Sequence, residues 1–380
     1  MTAAEASMPP DASDLTQSLE AIRKRHDLPA LAVVVTKGGE ICARGAVGVR
    51  KLGDPTPVTT NDLFHIGSNT KAMTATLAGK LIDEGKLHWD TTIGEVFPKL
   101  KGRMNKDYET VTLEQLLTHR GGAPAAAPSK AWQRAWLQAG SPMEQRAEFV
   151  EAVLAEAPEA KPGTKCIYSN QGYAIAGTMI EKVAGVPWEE SITEKLFKPL
   201  GMSTAGFGAP GTPGNVDQPW GHKSGSPAPT PAQADNPPAI APAGRVHCSL
   251  DDLARFTIFH MTPPRPGDLL RPETLARLQT PPPPPAESDE AGFFELLHRV
   301  LARFNTGIFG VYVGGWKVLP RRWAGGNALM HAGSNTMWFV VEWLAPAKRF
   351  SVVVGTNIAG LKARKACDEV SLQMIQVWAG

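Results

Sequence analysis

The chain is poor in cysteine: four in 380 residues, at positions 42, 166, 248 and 367, with no C-x-x-C pair. So thin a supply excludes a disulfide-framed fold, and in a chain of this size the four read as buried free thiols. Metal-ligand spacing is also missing. Neither H-E-x-x-H nor a paired His/Cys pattern occurs, so no metal or other cofactor is assigned. Charge of one sign is lacking too, since 39 Lys and Arg face 37 Asp and Glu for a net +2 without a long basic block. Nucleic acid and anionic membranes are therefore not expected partners. No apolar run nears the roughly 18 residues of a membrane span, and Glu342 interrupts the stretch from Met337 to Leu344. Met1 to Asp14 has neither a basic n-region nor an apolar h-region, so no signal peptide is expected there and the cytoplasm is favoured over the periplasm. An α/β-hydrolase elbow needs G-x-S-x-G, and the nearest approach, Gly201 to Ala205, lacks the last glycine.

What is present is a globular composition, 42% apolar and 20% charged, in a chain long enough for a large core. Ser13 to His26 reads as a helix with Leu15, Leu19 and Ile22 on one face. Ala30 to Thr36, a Lys37–Glu40 glycine turn and Ile41 to Val49 read as a hairpin. Helical patterns with loops fill the middle of the chain. Residues 209–243 and 262–272 and the Pro281–Pro285 run read as surface loop. Val311 to Trp316, Ala328 to His331, Trp338 to Trp343 and Phe350 to Val354 read as strands, and Lys362 to Trp378 as a closing helix. Strands at both ends with helices between predict an α+β sandwich: 12–95 joined to 295–380 around one antiparallel sheet, with 96–294 as a mostly helical insertion carrying Pro-rich loops.

Chemistry concentrates at Ser68-Asn69-Thr70-Lys71, which opens a helix-like run carrying Met73, Leu77, Leu81 and Ile82. A spacing of three puts Ser68 and Lys71 on one helix face, one turn apart. Ser68 is expected at the helix N-terminus, whose free N–H groups and positive dipole end favour a developing anion. The same field, with partial burial, would let Lys71 lose its proton well below about 10.4 and act as a base.

Two later motifs follow in order. Tyr168-x-Asn170 and His331-Ala332-Gly333, together with the only S-x-x-K, resemble the serine β-lactamase and penicillin-binding-protein superfamily, class C branch, and within it the family VIII-type esterases. Leu116 to Pro124, Pro162 to Thr164, Gly172-Tyr173 and Pro199 to Met202 match that family as well. The resemblance implies a β-lactamase/transpeptidase-like fold and an acyl-enzyme mechanism. Ser68 would be the nucleophile, and Lys71 and Tyr168 would share the base role, an ammonium lowering the phenol below its usual value of about 10. Asn170 would bind a substrate carbonyl, the amides of Ser68 and Ser334 would form the oxyanion hole, and Gly333 would let substrate approach the strand.

Departures from the family bear on substrate. His331 stands where many members carry Lys, exchanging a permanent cation for a group that titrates near 6.5. Trp338, Trp316 and Trp220 are candidates for an apolar acyl pocket, and His222 for a further contact. The expectation is a serine hydrolase on small-molecule esters or amides, first a carboxylesterase. A β-lactamase, a D-alanyl carboxypeptidase or D-aminopeptidase, and a β-lactam sensor or scaffold that acylates without turnover are the alternatives.

Overall fold

A computed structural model of the protein describes residues 12–225, 229–281 and 311–379. The first apolar runs form β1 (Ala30–Lys37) and β2 (Glu40–Gly48) behind the N-terminal helix Ala12–Arg25. Short strands follow: β3 (Leu63–His65), β4 (Gly206–Phe207), β5 (Gly221–Lys223), β6 (Thr230–Ala232) and β7 (Val246–Ser249). The chain then closes through β8 (Val311–Val313), β9 (Trp316–Arg321), β10 (Gly326–Gly333), β11 (Phe339–Ala345), β12 (Phe350–Thr356) and the helix Leu361–Trp378. The main sheet is antiparallel, in the order β2-β1-β12-β11-β10-β9-β8, assembled from both ends of the chain as the sequence predicts.

Its central strands are largely apolar because both faces are covered. On β1, Leu31, Val33 and Val35 meet Leu15, Leu19, Val370 and Met374 of the terminal helices, while Ala30, Ala32 and Val34 face the core of the helical side. Burying each of the three larger side chains contributes about 1.5–3 kcal/mol. The helix Thr70–Asp83 runs through that second core with nearly every residue buried, Lys71 included. It is therefore a central helix and not the amphipathic surface helix its sequence spacing would fit.

Several local expectations change. Val311 to Trp316 is no single strand: Gly314 and Gly315, at φ +53° and +89°, turn the chain from β8 to β9. A Cβ on Gly315 would lie 2.3 Å from Ala72 Cα, so the turn presses on the central helix. Residues 209–243 are not all surface loop. They supply β5, β6 and a turn, Pro238–Ile240 continuing into Ala241–Gly244, that is wholly buried. Arg146 helps seat this turn, donating to Pro238 O at 2.7 Å while pairing with Glu181 and Glu189. All four cysteines are free, but only Cys248 and Cys367 are buried; Cys42 lies on the edge strand β2, whose residues alternate outward, and Cys166 is also exposed. Beyond its first residue the Pro281–Pro285 run lies outside the described residues.

Candidate active site

Ser68 sits in a 3-10 turn, Gly67–Asn69, one residue ahead of the central helix and partly open to solvent. Lys71, one turn on, is fully buried, its Nζ 3.0 Å from Ser68 Oγ, 2.8 Å from Asn170 Oδ1 and 2.7 Å from Ala243 O. Two of these partners can only accept. A neutral amine has two protons and one lone pair, so donating to Asn170 and Ala243 leaves the lone pair for the Ser68 hydroxyl. Burial drives the Lys71 ammonium well below its ordinary range, in the direction the sequence predicts and mainly through desolvation. The Ala243 carbonyl is set by the buried turn. Thr74 Oγ1 donates to Pro242 O at 2.7 Å, and Pro242 packs so tightly on Gly177 that a Cβ there would lie 2.2 Å from its ring.

Tyr168 and Asn170 arrive on the entry to the helix Asn170–Ala184, capped by Ser169 Oγ, which accepts from Gly172 N–H. Tyr168 keeps 42% of its surface exposed, its phenol lies beside Ser68, and Lys71 Nζ lies 4.7 Å from its ring centre. The expected lowering of this phenol is not found. Burial pushes it up to about 12, with neighbouring Ser68 opposing, and burial also disfavours the Lys71 ammonium that would hold a phenolate. Tyr168 is thus a protonated donor, and Lys71 is the group with a free lone pair.

On the far side of Ser68, β10 ends against the Gly67–Asn69 turn. A Cβ on Gly333 would lie 2.7 Å from Ser68 N, and one on Gly67, at φ +52°, would lie 2.3 Å from Ser334 N. Only two glycines let the turn and the strand end approach this closely, bringing the Ser68 and Ser334 amides to one place. His331 does not face the opening. It is 3% exposed, its Nδ1 3.2 Å from Asn69 Oδ1 and its Nε2 3.3 Å from the Tyr312 hydroxyl. Burial first, then the Lys317 charge, pushes the imidazole down to about 3, not the 6.5 of a free histidine. A neutral His331 cannot offer a carboxylate the charge of the lysine it replaces.

Residues 15–373 match the family model described as Beta-lactamase. The chain belongs to the beta-lactamase family. It is 30% identical over 257 residues to Penicillin-binding protein 4 of Amycolatopsis lactamdurans, covering 67% of this chain and 65% of that protein. It is 32% identical over 192 residues to the Escherichia coli K12 protein named “Putative D-alanyl-D-alanine carboxypeptidase”, covering 47% and 43%. The chain thus spans less than two thirds of either curated relative. The solved structure of the octameric penicillin-binding protein homologue from Pyrococcus abyssi superposes with a TM-score of 0.74 at 25% identity, over 96% of this chain and 78% of that one.

Four residues expected to touch substrate are engaged elsewhere in the fold. Trp338 is 1% exposed, packed edge-on to Phe64 at 5.8 Å, and Trp316 is buried beside Phe256 and His260; both fill core. His222 is buried with both ring nitrogens engaged, Nε2 accepting from Leu52 N–H at 3.0 Å and Nδ1 2.8 Å from Asn357 O. Trp220 lies under Lys51, 3.9 Å from its Nζ, and donates to Asn215 O. Other residues at the site carry no role in the sequence reading. Asn69 links His331 to Val340 O. His119, at φ +59°, accepts from Ser169 N–H through Nδ1 and stacks 4.4 Å from the Tyr168 ring. Asn69 lies inside the S-x-x-K tetrapeptide and His119 inside the T-H-R-G-G run, so their positions were the available signal.

Proposed function

We propose that the protein is a serine hydrolase working through an acyl-enzyme on Ser68. The observation that carries this reading is the coordination of Lys71 Nζ, which meets two obligate acceptors and Ser68 Oγ within 3.0 Å in a buried setting. Lys71 takes the Ser68 proton as Oγ attacks a carbonyl, and the Ser68 and Ser334 amides receive the oxyanion. Tyr168, protonated and beside Ser68, delivers a proton to the leaving group and recovers one from the deacylating water.

Carboxylesters with an uncharged acyl part are the substrate class we favour, because the triplet residue His331 is neutral and inward-facing. A second reading, cleavage of a β-lactam or a D-alanyl peptide, draws on the names of the relatives and on Lys317, whose charge reaches His331. One purified sample tested on short p-nitrophenyl esters, nitrocefin and a D-alanyl-D-alanine peptide separates them. Esters turned over fastest, with loss in Ser68→Ala, is the expected result. Faster nitrocefin or peptide turnover overturns the substrate class. Acylation without steady-state turnover overturns hydrolysis, and full activity in Ser68→Ala overturns the acyl-enzyme.

A further inference from the structure

Three segments wall the Ser68 site, and one buried carboxylate reaches all of them. Asp235 precedes the Pro238–Gly244 turn with its side chain 4% exposed. Its Oδ1 lies 2.9 Å from His65 Nε2 and accepts from Asn335 Nδ2 at 3.2 Å. Oδ1 also takes its neighbour Asn236 N–H at 2.7 Å, while Oδ2 accepts from Arg245 Nε at 3.0 Å. Burial works against the charge of this carboxylate, but His65 and Arg245 hold the carboxyl below its usual range.

Each partner is a short step from a reacting group. His65 Nδ1 accepts the N–H of Gly67, the residue before Ser68, at 3.1 Å. Asn335 follows Ser334, and its Oδ1 accepts Met337 N–H at 3.2 Å, closing the turn that also holds Thr336 N–H on Ser334 Oγ at 3.0 Å. Arg245 lies two residues beyond Ala243, whose carbonyl receives Lys71. Asn69 and His331 tie the same helix turn to β10 and β11 from within the core.

We propose that Asp235 is a positioning residue: through His65 and Asn335 it holds the Ser68 and Ser334 amides at the separation the oxyanion needs. The inference rests on the acyl-enzyme reading above. Its role is indirect, since no atom of Asp235 meets substrate. Removing the charge should relax the spacing of the two donors and weaken binding of the transition state more than that of the ground state.

The test uses Asp235→Asn and Asn335→Ala in the full chain, measuring ester kcat and KM, thermal stability, and affinity for an aryl boronic acid. That probe adds Ser68 Oγ to boron and places a boron hydroxyl between the amides. Asp235→Asn should lower kcat about 10²-fold with KM within about threefold, and weaken the boronic acid by the same factor as kcat/KM. Asn335→Ala should show the same signature in smaller measure, and the double variant should lose less than the product of the two. Unchanged kcat and boronic acid affinity, a rise in KM alone, or full additivity would each overturn the role. Should Asp235→Asn fail to fold, Asn335→Ala, on the turn itself, decides alone. These outcomes are separate from the parent reading, which falls only if Ser68→Ala stays active.

Discussion

Replacing Gly333 with alanine tests whether the close approach of β10 to the nucleophile's turn sets the site. An added Cβ would lie 1.9 Å from Ile66 O, 2.7 Å from Ser68 N and 2.9 Å from Asn69 N. All three are backbone atoms, so no side chain can swing aside. Side-chain carbons do not approach backbone oxygen closer than about 3 Å, so the strand end must retreat by roughly 1 Å, a displacement of the size that costs about 10²-fold in rate. Ser334 N–H moves with the strand, and loss of one oxyanion donor costs a comparable 10²–10³-fold, about 2.7–4 kcal/mol. The expected result is kcat/KM for a p-nitrophenyl ester lowered by at least about 10²-fold. Single-turnover acylation measured by stopped flow should slow as much as kcat/KM. The body of the sheet, anchored by five register pairs between β10 and β11, should keep its fold by circular dichroism. A variant that acylates within about threefold of wild type and melts at the same temperature would refute the claim that these amides, at this spacing, carry the chemistry.

Two further predictions follow from buried charge. Lys71→Met should abolish turnover, and the melting-temperature difference, variant minus wild type, should grow as pH falls from about 10 to about 6. The sign follows because the unfolded lysine binds a proton below about 10.4, whereas the folded one stays neutral further down, so only wild type loses stability there. A difference that ignores pH would contradict the neutral amine. Glu342, on β11, is fully buried, both its oxygens lack hydrogen-bond partners among the described residues, and burial raises its carboxyl well above the usual range. Stability is then complete below the unfolded value of about 4.3 and lost as pH rises above it. Glu342→Met should therefore gain about 1–3 kcal/mol near pH 7 in urea denaturation, and equal gains at acid and neutral pH would count against this account.

What could be read from the sequence was what the chain states locally. Ser68 and Lys71 declare themselves by a spacing of three, and Tyr168-x-Asn170 by a capped helix entry that needs only neighbouring residues. The sheet was legible because strands covered on both faces are written as runs dominated by apolar residues. Ala243 was not legible, since its contribution is a carbonyl that any residue could supply. Asp235 was hidden in a stretch whose proline, glycine and alanine content reads as loop. His331 could have been placed by parity: two residues after the core Leu329, it faces the same way, inward. The tryptophans misled because a large apolar ring serves a pocket and a core equally well, and only packing tells them apart.

The register of the main sheet has a consequence for biosynthesis. β1 is flanked on one side by its hairpin partner and on the other by β12, which is made some three hundred residues later. A ribosome therefore releases Ser68 and Lys71 long before Ser334 at the end of β10, and the hairpin waits with one long apolar edge unzipped. The sheet stays open until β10 to β12 emerge, and the interval is when self-association through that open edge competes most strongly with its closure.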